Sequence, residues 1–324
     1  MKAVASSILR NSSFLIFLTA AALTSAAISI NGNKDNYPFD ETNKNYGIPF
    51  RLVNNKIILS VKIGETRPLR AILDSGMGWD GLLILNSNLK DSVKLENPKN
   101  ANIGGAGKEK ASTAVFADSM SFSIGDIKFK NQRVVILNND NFKGSSSDAV
   151  VGYSLLGHSA VEVDFDKLTI ILHDPEKLNV DSSWEALPIS FKNSIPWIDV
   201  KVVIDKENPV DLSCYIDCAS SEAVEFLLKP DQKFSVPEET KEVHLGTGLS
   251  GDIYGKTGKI AKVILGSYEL KNVLAAFAPS EVRSKQKGAD AVIANNLLRR
   301  FNLIYDYPRQ KLYIKPNSHF TDPF

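Results

Sequence analysis

The sequence is written twice. DAVVGYSLL (148–156) returns as DAVIANNLL (290–298), which places Asp148 and Asp290 142 positions apart. VEVDFDKLTIILHDP (161–175) returns as LIYDYPRQKLYIKP (303–316), with Asp164 and Asp306 at the same offset. Upstream, IPFRLVNNKIILSVKI (48–63) matches LPISFKNSIPWIDVKV (187–202), and AILDSG (71–76) matches CYIDCA (214–219). Four segments repeated in fixed order mean a duplicated unit of ordinary domain size, too long for a solenoid repeat or a propeller blade. The expected division is 47–180 for the first lobe, 181–318 for the second and 319–324 for a short tail.

Inside each unit the pattern is that of strands. KIILSVKI (56–63), LTIILHD (168–174) and VILGSYEL (263–270) are short, rich in branched residues and separated by Gly- or Asn-bearing turns, which predicts an all-β fold of two small barrels. Only SLLGH (154–158) and NNLLRRF (295–301) read as helical. Gly104, Gly105 and Gly107 in one unit, and Gly246 and Gly248 in the other, lie midway between strands, where glycine marks a hairpin or a close backbone approach. No lysine and helix follow them in the pattern a phosphate-cradling loop requires.

The N-terminus reads as a secretory signal: Lys2 and Arg10, then the apolar FLIFLTAAALTSAAISI (14–30) ending in small residues. Residues 1–26 are the expected signal peptide and 27–46 a polar leader, with an uncleaved membrane anchor as the competing reading. No second apolar stretch approaches that length, so no stable membrane insertion is expected after cleavage. The expectation is an exported protein, periplasmic or secreted. The whole chain carries a formal net charge of +1, which gives no reason to expect a nucleic-acid partner. Cys214 and Cys218 in an extended strand would stand too far apart to bridge, so two buried free thiols are expected. Two cysteines and four scattered histidines match no zinc spacing, and neither a metal nor a cofactor is expected. With no G-x-S-x-G elbow and so few histidines, a serine hydrolase is disfavoured.

The informative detail is the strand that ends Ile72-Leu73-Asp74-Ser75-Gly76. Asp-Ser-Gly is ordinary turn chemistry, yet here it caps an apolar run, and its counterpart places Asp217 at the same point of the second unit. With the Gly-rich hairpins, the apolar-Gly segment before each short helix and the ending LLRRFNLIYDYPRQKLYIKP (297–316), the chain resembles the retropepsin-like aspartic proteases, and most closely their bacterial secreted relatives. The resemblance spans about 48–316. It implies two duplicated β-barrel lobes packed about a pseudo-twofold axis, with Asp74 and Asp217 as a catalytic dyad sharing a proton. It implies that Ser75 bonds across the base of the dyad and that Gly76 admits close backbone approach. Around Gly104–Gly107 and Gly246–Gly248 it implies flaps over an extended peptide or protein substrate. A monomer is expected, with a homodimer as the alternative. Trp79, just past the first motif, is read as core ahead of a subsite.

The second lobe departs from that pattern. Cys218 replaces the hydroxyl residue and offers only a weak donor, so a poor bond across the dyad is expected. Ala219 replaces glycine and would be strained at positive φ. Val151-Gly152 becomes Ile293-Ala294. Three readings therefore stand: an endopeptidase using Asp74 and Asp217, a protease-like fold that binds peptides or a partner without cutting, and a pairing of two Asp74 lobes from separate chains. Asp148, Asp290, Asp164 and Asp306 are read as structural turn residues, and nothing in the sequence pairs Asp80 or Glu222.

Overall fold

In each unit a hairpin closed by two left-handed residues leads the chain into its barrel. In the first, Asn54 and Asn55 hold φ of 49° and 59°; in the second, Asn193 and Ser194 hold 52° and 61°. Asparagine tolerates this region better than most residues. The strand that follows, Lys56–Ile63, alternates toward its end between buried and exposed side chains, as a sheet with one face on a core must. The computed structural model describes residues 47–142, 144–205 and 208–324, together with the backbone of Ile16–Phe17, which pairs in parallel with Thr247–Gly248. Apart from that pair, the expected signal peptide and leader lie outside the described residues.

The two units share one strand order. In the first, the hydrogen-bonded sequence of strands runs Arg51–Val53, Lys56–Ile63, Leu69–Leu73, Ala149–Val151, Gly81–Ile84, Ile127–Leu137, Ser112–Ile124, Lys99–Ile103. In the second it runs Ser190–Lys192, Ile195–Val203, Val210–Asp217, Ala291–Ala294, Val224–Leu228, Tyr268–Pro279, Gly251–Leu265, Thr240–Gly248. Each curls back on itself, through Lys56–Ile63 on Ser112–Ile124 and Ile195–Val203 on Gly251–Leu265. A third sheet of six strands draws on both units: Phe301–Asp306 lies beside Ala160–Asp164, with Val161 opposite Tyr305. Of the described residues, 53% are in strands and 7% in helical turns.

The helices foreseen at 154–158 and 295–301 are single turns, Tyr153–Leu156 and Asn295–Leu298. A further turn, Lys90–Val93, was not foreseen; it buries only Val93 and ends at Lys94 with φ of 52°, so it carries almost no apolar periodicity to read. Cys214 and Cys218 are buried free thiols. Asp148 and Asp290 close the inner loops, Asp148 against Arg67 and Arg70, Asp290 against Lys229 and Lys233. Asp164 and Asp306 accept backbone N–H groups three residues on, from Lys167 and Arg309. Among the described residues, no helix is long and apolar enough to cross a membrane, and no cluster of His, Cys, Asp and Glu is built to hold a metal.

Candidate active site

The strand bearing Asp74 is fixed from the far end of its own lobe. Leu69–Leu73 runs parallel to Ala149–Val151, so Leu73 stands beside Val151, and the Asp74 N–H donates to the Val151 carbonyl at 2.9 Å. In the second lobe Val210–Asp217 runs parallel to Ala291–Ala294 with Asp217 beside Ala294. Both carboxyls are fully buried. Each folds back on its own loop: Gly76 N–H donates to Asp74 Oδ1 at 2.7 Å, and Ala219 N–H to Asp217 Oδ1 at 3.0 Å.

The loops are tied to each other by a reciprocal set of four bonds. Ser75 Oγ donates to the Ile216 carbonyl at 2.9 Å and accepts from Cys218 N–H at 3.0 Å. Cys218 Sγ donates to the Leu73 carbonyl at 3.3 Å and accepts from Ser75 N–H, also at 3.3 Å. Leu73 and Ile216 are themselves matched by the repeat. The bond expected to be poor is present: the Cys218 thiol occupies the hydroxyl's place with the repeat-equivalent partners, at sulfur's longer contact distance. The expected strain at Ala219 is corrected, because Ala219 is not among the residues at positive φ, and neither is Gly76. Its methyl joins the apolar cluster of Ile72, Met77 and Leu249.

Gly152 and Ala294 differ for a visible reason. A Cβ at Gly152 would lie 2.2 Å from the Asp74 carbonyl and 2.7 Å from Met77. Ala294 holds ψ of 173° where Gly152 holds −96°, so the backbone differs at the position that carries the methyl. The following bond is kept in both lobes, Tyr153 N–H to Met77 O and Asn295 N–H to Ser220 O, each at 3.0 Å.

The two Gly-rich hairpins meet each other. Ser250 N–H donates to the Ala106 carbonyl at 2.9 Å, Glu109 N–H to the Ser250 carbonyl at 2.8 Å, and Ser112 Oγ to the Leu249 carbonyl at 2.8 Å. Gly107 and Gly248 allow this, since a Cβ on either would sit 2.0 Å from the opposite hairpin's backbone, Ser250 O and Ala106 O. Gly105 donates its N–H to Ser250 Oγ, while Gly104 lies in looser contact with the same oxygen and Gly246 follows a bulge in its strand. A recess of about 520 Å³ is lined by Gly104, Gly105, Gly107, Ser250, Glu281 and Lys285, and neither Asp74 nor Asp217 borders it. With the hairpins joined in this way, neither carboxyl is exposed. Trp79 is half-buried and packs against the cluster of Ile72 and Met77.

Two residues of this site were not singled out in the sequence. Arg283, on the turn Ser280–Arg283, donates from Nη1 to Asp217 Oδ2 at 3.2 Å and grips Glu225 with two bonds, 3.0 Å from Nε and 2.7 Å from Nη2. All three side chains are fully buried. The available signal was VEFLL (224–228), a glutamate inside an apolar strand, which requires a buried cation. Glu222 and Asp80 also have partners nearby, contrary to the sequence reading. Asp80 lies 2.8 Å from His158. Burial and Glu225 push Glu222 up to about 7, opposed by Lys56. Lys56, buried at the entrance to its strand, donates to Ser221 Oγ and is lowered by burial to about 8.

Burial, and then the charge of Asp217, push the Asp74 carboxyl well above the ordinary carboxylate value. Burial raises Asp217 too, but Arg283 draws it back. Among the described residues Asp74 Oδ2 has no hydrogen-bond partner. The site thus holds two carboxyls raised by burial, Asp74 the further of the two because Arg283 opposes the rise at Asp217, an inequality of the kind general acid–base chemistry uses.

Residues 59–157 match the family model described as aspartyl protease. Among solved structures, the aspartic proteinase from Irpex lacteus is similar, with a TM-score of 0.53 at 12% identity, covering 86% of this chain and 98% of that one. No curated protein matches the sequence. The family match lies in the first lobe, and the solved structure shows that the fold is pepsin-like, all-β and two-lobed, as the sequence resemblance implies.

Proposed function

From a chain that carries an aspartyl-protease lobe in a pepsin-type fold, we propose an aspartic endopeptidase with Asp74 and Asp217 as its dyad, exported and acting on peptide or protein. The observation that carries this reading is the reciprocal bonding of Ser75 and Cys218, which ties the two aspartate loops together despite the altered second motif. Asp217, ionised, takes a proton from water as its oxygen attacks the peptide carbonyl carbon. Asp74, protonated, gives its proton to the carbonyl oxygen. The tetrahedral diol then collapses: the C–N bond breaks, the nitrogen takes the proton from Asp217, and a hydroxyl returns its proton to Asp74. The flap hairpins exclude bulk water once closed.

A second reading has its own observation. The Asp217–Arg283 bond weakens Asp217 as a base, and the hairpins bond to each other across the space a substrate needs. Both favour a protein that binds without cutting.

A peptide library incubated with the purified protein from acidic to neutral pH, read by mass spectrometry, separates the two. Cleavage by wild type that is lost in both Asp74→Asn and Asp217→Asn supports the dyad. Loss in Asp74→Asn alone argues for paired chains. Peptide retention without cleavage supports the binding reading.

A further inference from the structure

We propose that Arg283, anchored by Glu225, is a positioning residue that breaks the symmetry of the dyad, so that Asp217 is always the charged member and Asp74 the protonated one. This rests on the dyad proposed above. The argument begins with counting. Three fully buried carboxyls, Asp74, Asp217 and Glu225, face one buried guanidinium. Arg283 gives two bonds to Glu225 and one to Asp217, and a charge-assisted bond of this kind favours the ionised form of Asp217. The third, Asp74, receives no hydrogen bond on Oδ2 among the described residues. Three adjacent buried charges against one cation are untenable, so a proton stays in the cluster, and it stays on Asp74.

The remaining groups facing the pair do not reverse this assignment. From its own strand Asp217 meets Tyr215, whose ring lies 5.9 Å from the Arg283 guanidinium and whose buried hydroxyl is held neutral. Tyr305, in the strand Phe301–Asp306, and Tyr307, in the turn after it, are buried and raised far above their ordinary value. Cys218 is raised likewise, by burial and by Asp74. Lys56, across the lobe boundary, adds positive charge near Asp217, while Glu222 faces Lys56 and Glu225. Arg283 alone among these touches the dyad asymmetrically. Its counterpart by the repeat offset, Asn141, is an exposed residue.

The experiment is a side-chain carboxyl titration by carbon-13 NMR on wild type, Arg283→Gln, Arg283→Lys and the charge-balanced double variant Arg283→Gln/Glu225→Gln, assigned with Asp217→Asn. The double variant serves if Arg283→Gln leaves Glu225 unpaired and fails to fold. Asp217 is expected to titrate below Asp74 in wild type and to move up by about one pH unit or more without Arg283, with Arg283→Lys close to wild type. In an active enzyme the acid limb of the kcat/KM profile moves up by the same amount. Because Glu225 itself raises Asp217, the double variant is read against Glu225→Gln alone: an Asp217 midpoint the same in both, or unmoved in a folded Arg283→Gln, overturns the proposal, whatever happens to the rate. A wild type that cuts no peptide overturns the dyad as an enzyme yet leaves the order of titration to be read.

Discussion

In the first lobe the positions flanking the aspartate loop are hydrocarbon. Ile72, Leu83 and Phe142 lie in one apolar cluster. In the second lobe the residues matched to Ile72 and Leu83 are Tyr215 and Glu225, and the loop that supplies Phe142 in the first supplies Arg283 instead. The registers make the match firm: Val151 stands opposite Leu82 as Ile293 stands opposite Val224. One scaffold thus supports its carboxylate with oil on one side and with a buried ion pair on the other. Oil gives packing and, by desolvation, favours the neutral carboxyl; a buried cation favours the charged one, at a desolvation cost of its own. The difference shows duplicated lobes diverging where a proton's location is decided, while strand order stays fixed.

The sharpest way to break the comparison is to remove half of the ion pair. Arg283→Leu leaves Glu225 buried and uncompensated, and unfolding in urea is expected to show a loss of about 3–5 kcal/mol. Adding Glu225→Leu, which gives the second lobe the first lobe's chemistry, is expected to recover most of it. If the double variant is no more stable than the single, the ion pair is not the source of the difference.

Next in size is Gly152→Ala. Its methyl meets the Asp74 carbonyl and Met77, and about 1–3 kcal/mol should be lost as overpacking. The converse change, Ala294→Gly, relieves nothing and should cost about 0.5–1 kcal/mol through chain entropy. Thermal unfolding of the pair tests whether the ψ rotation at Ala294 is what makes the second lobe tolerant.

These contrasts mark how far the sequence could be read. The duplication, the two carboxylate loops and the hairpins were legible because strand period, turn residues and repeat offset are local signals. Arg283 was not, because its partners lie 58 and 66 residues away and its own segment, SEVRSKQKG, reads as an ordinary polar loop. The tolerance at Ala219 was misjudged for a related reason: glycine in a motif suggests positive φ, but the backbone there does not use it. The hairpin-to-hairpin seal was invisible too, since it depends on how two lobes face each other.

Acid and base should act oppositely on two aspartates of the first lobe. Asp74 is raised in the folded state, so the native protein binds the extra proton above the ordinary carboxylate value, and stability falls as pH rises through that window. Asp148 is drawn down despite burial, by the bonds from Arg67 and Arg70; its contribution is present above the ordinary value and disappears as pH falls below it. Asp74→Asn should therefore flatten the decline toward neutral pH, and Asp148→Asn should flatten the decline in acid. Unfolding free energies across pH give the slopes, and equal slopes in the variants and wild type would remove both assignments.

The finest contrast is at the bonds that join the loops. Ser75→Ala removes a donor to Ile216 O and the acceptor of Cys218 N–H, so about 1–3 kcal/mol is expected from the buried partners left unmet. Cys218→Ser makes the two loops chemically alike. Its shorter bond radius should be offset by the stronger O–H donor, and a change within about 1 kcal/mol is expected. The ranking is the informative part, because it measures how well sulfur replaces oxygen in the same geometry. If Cys218→Ser stabilises by more than Ser75→Ala destabilises, the thiol is a weak link between the lobes. If it is neutral, the altered motif keeps the loops joined as firmly as a hydroxyl would, and the divergence of the second lobe lies in Arg283 and Glu225 alone.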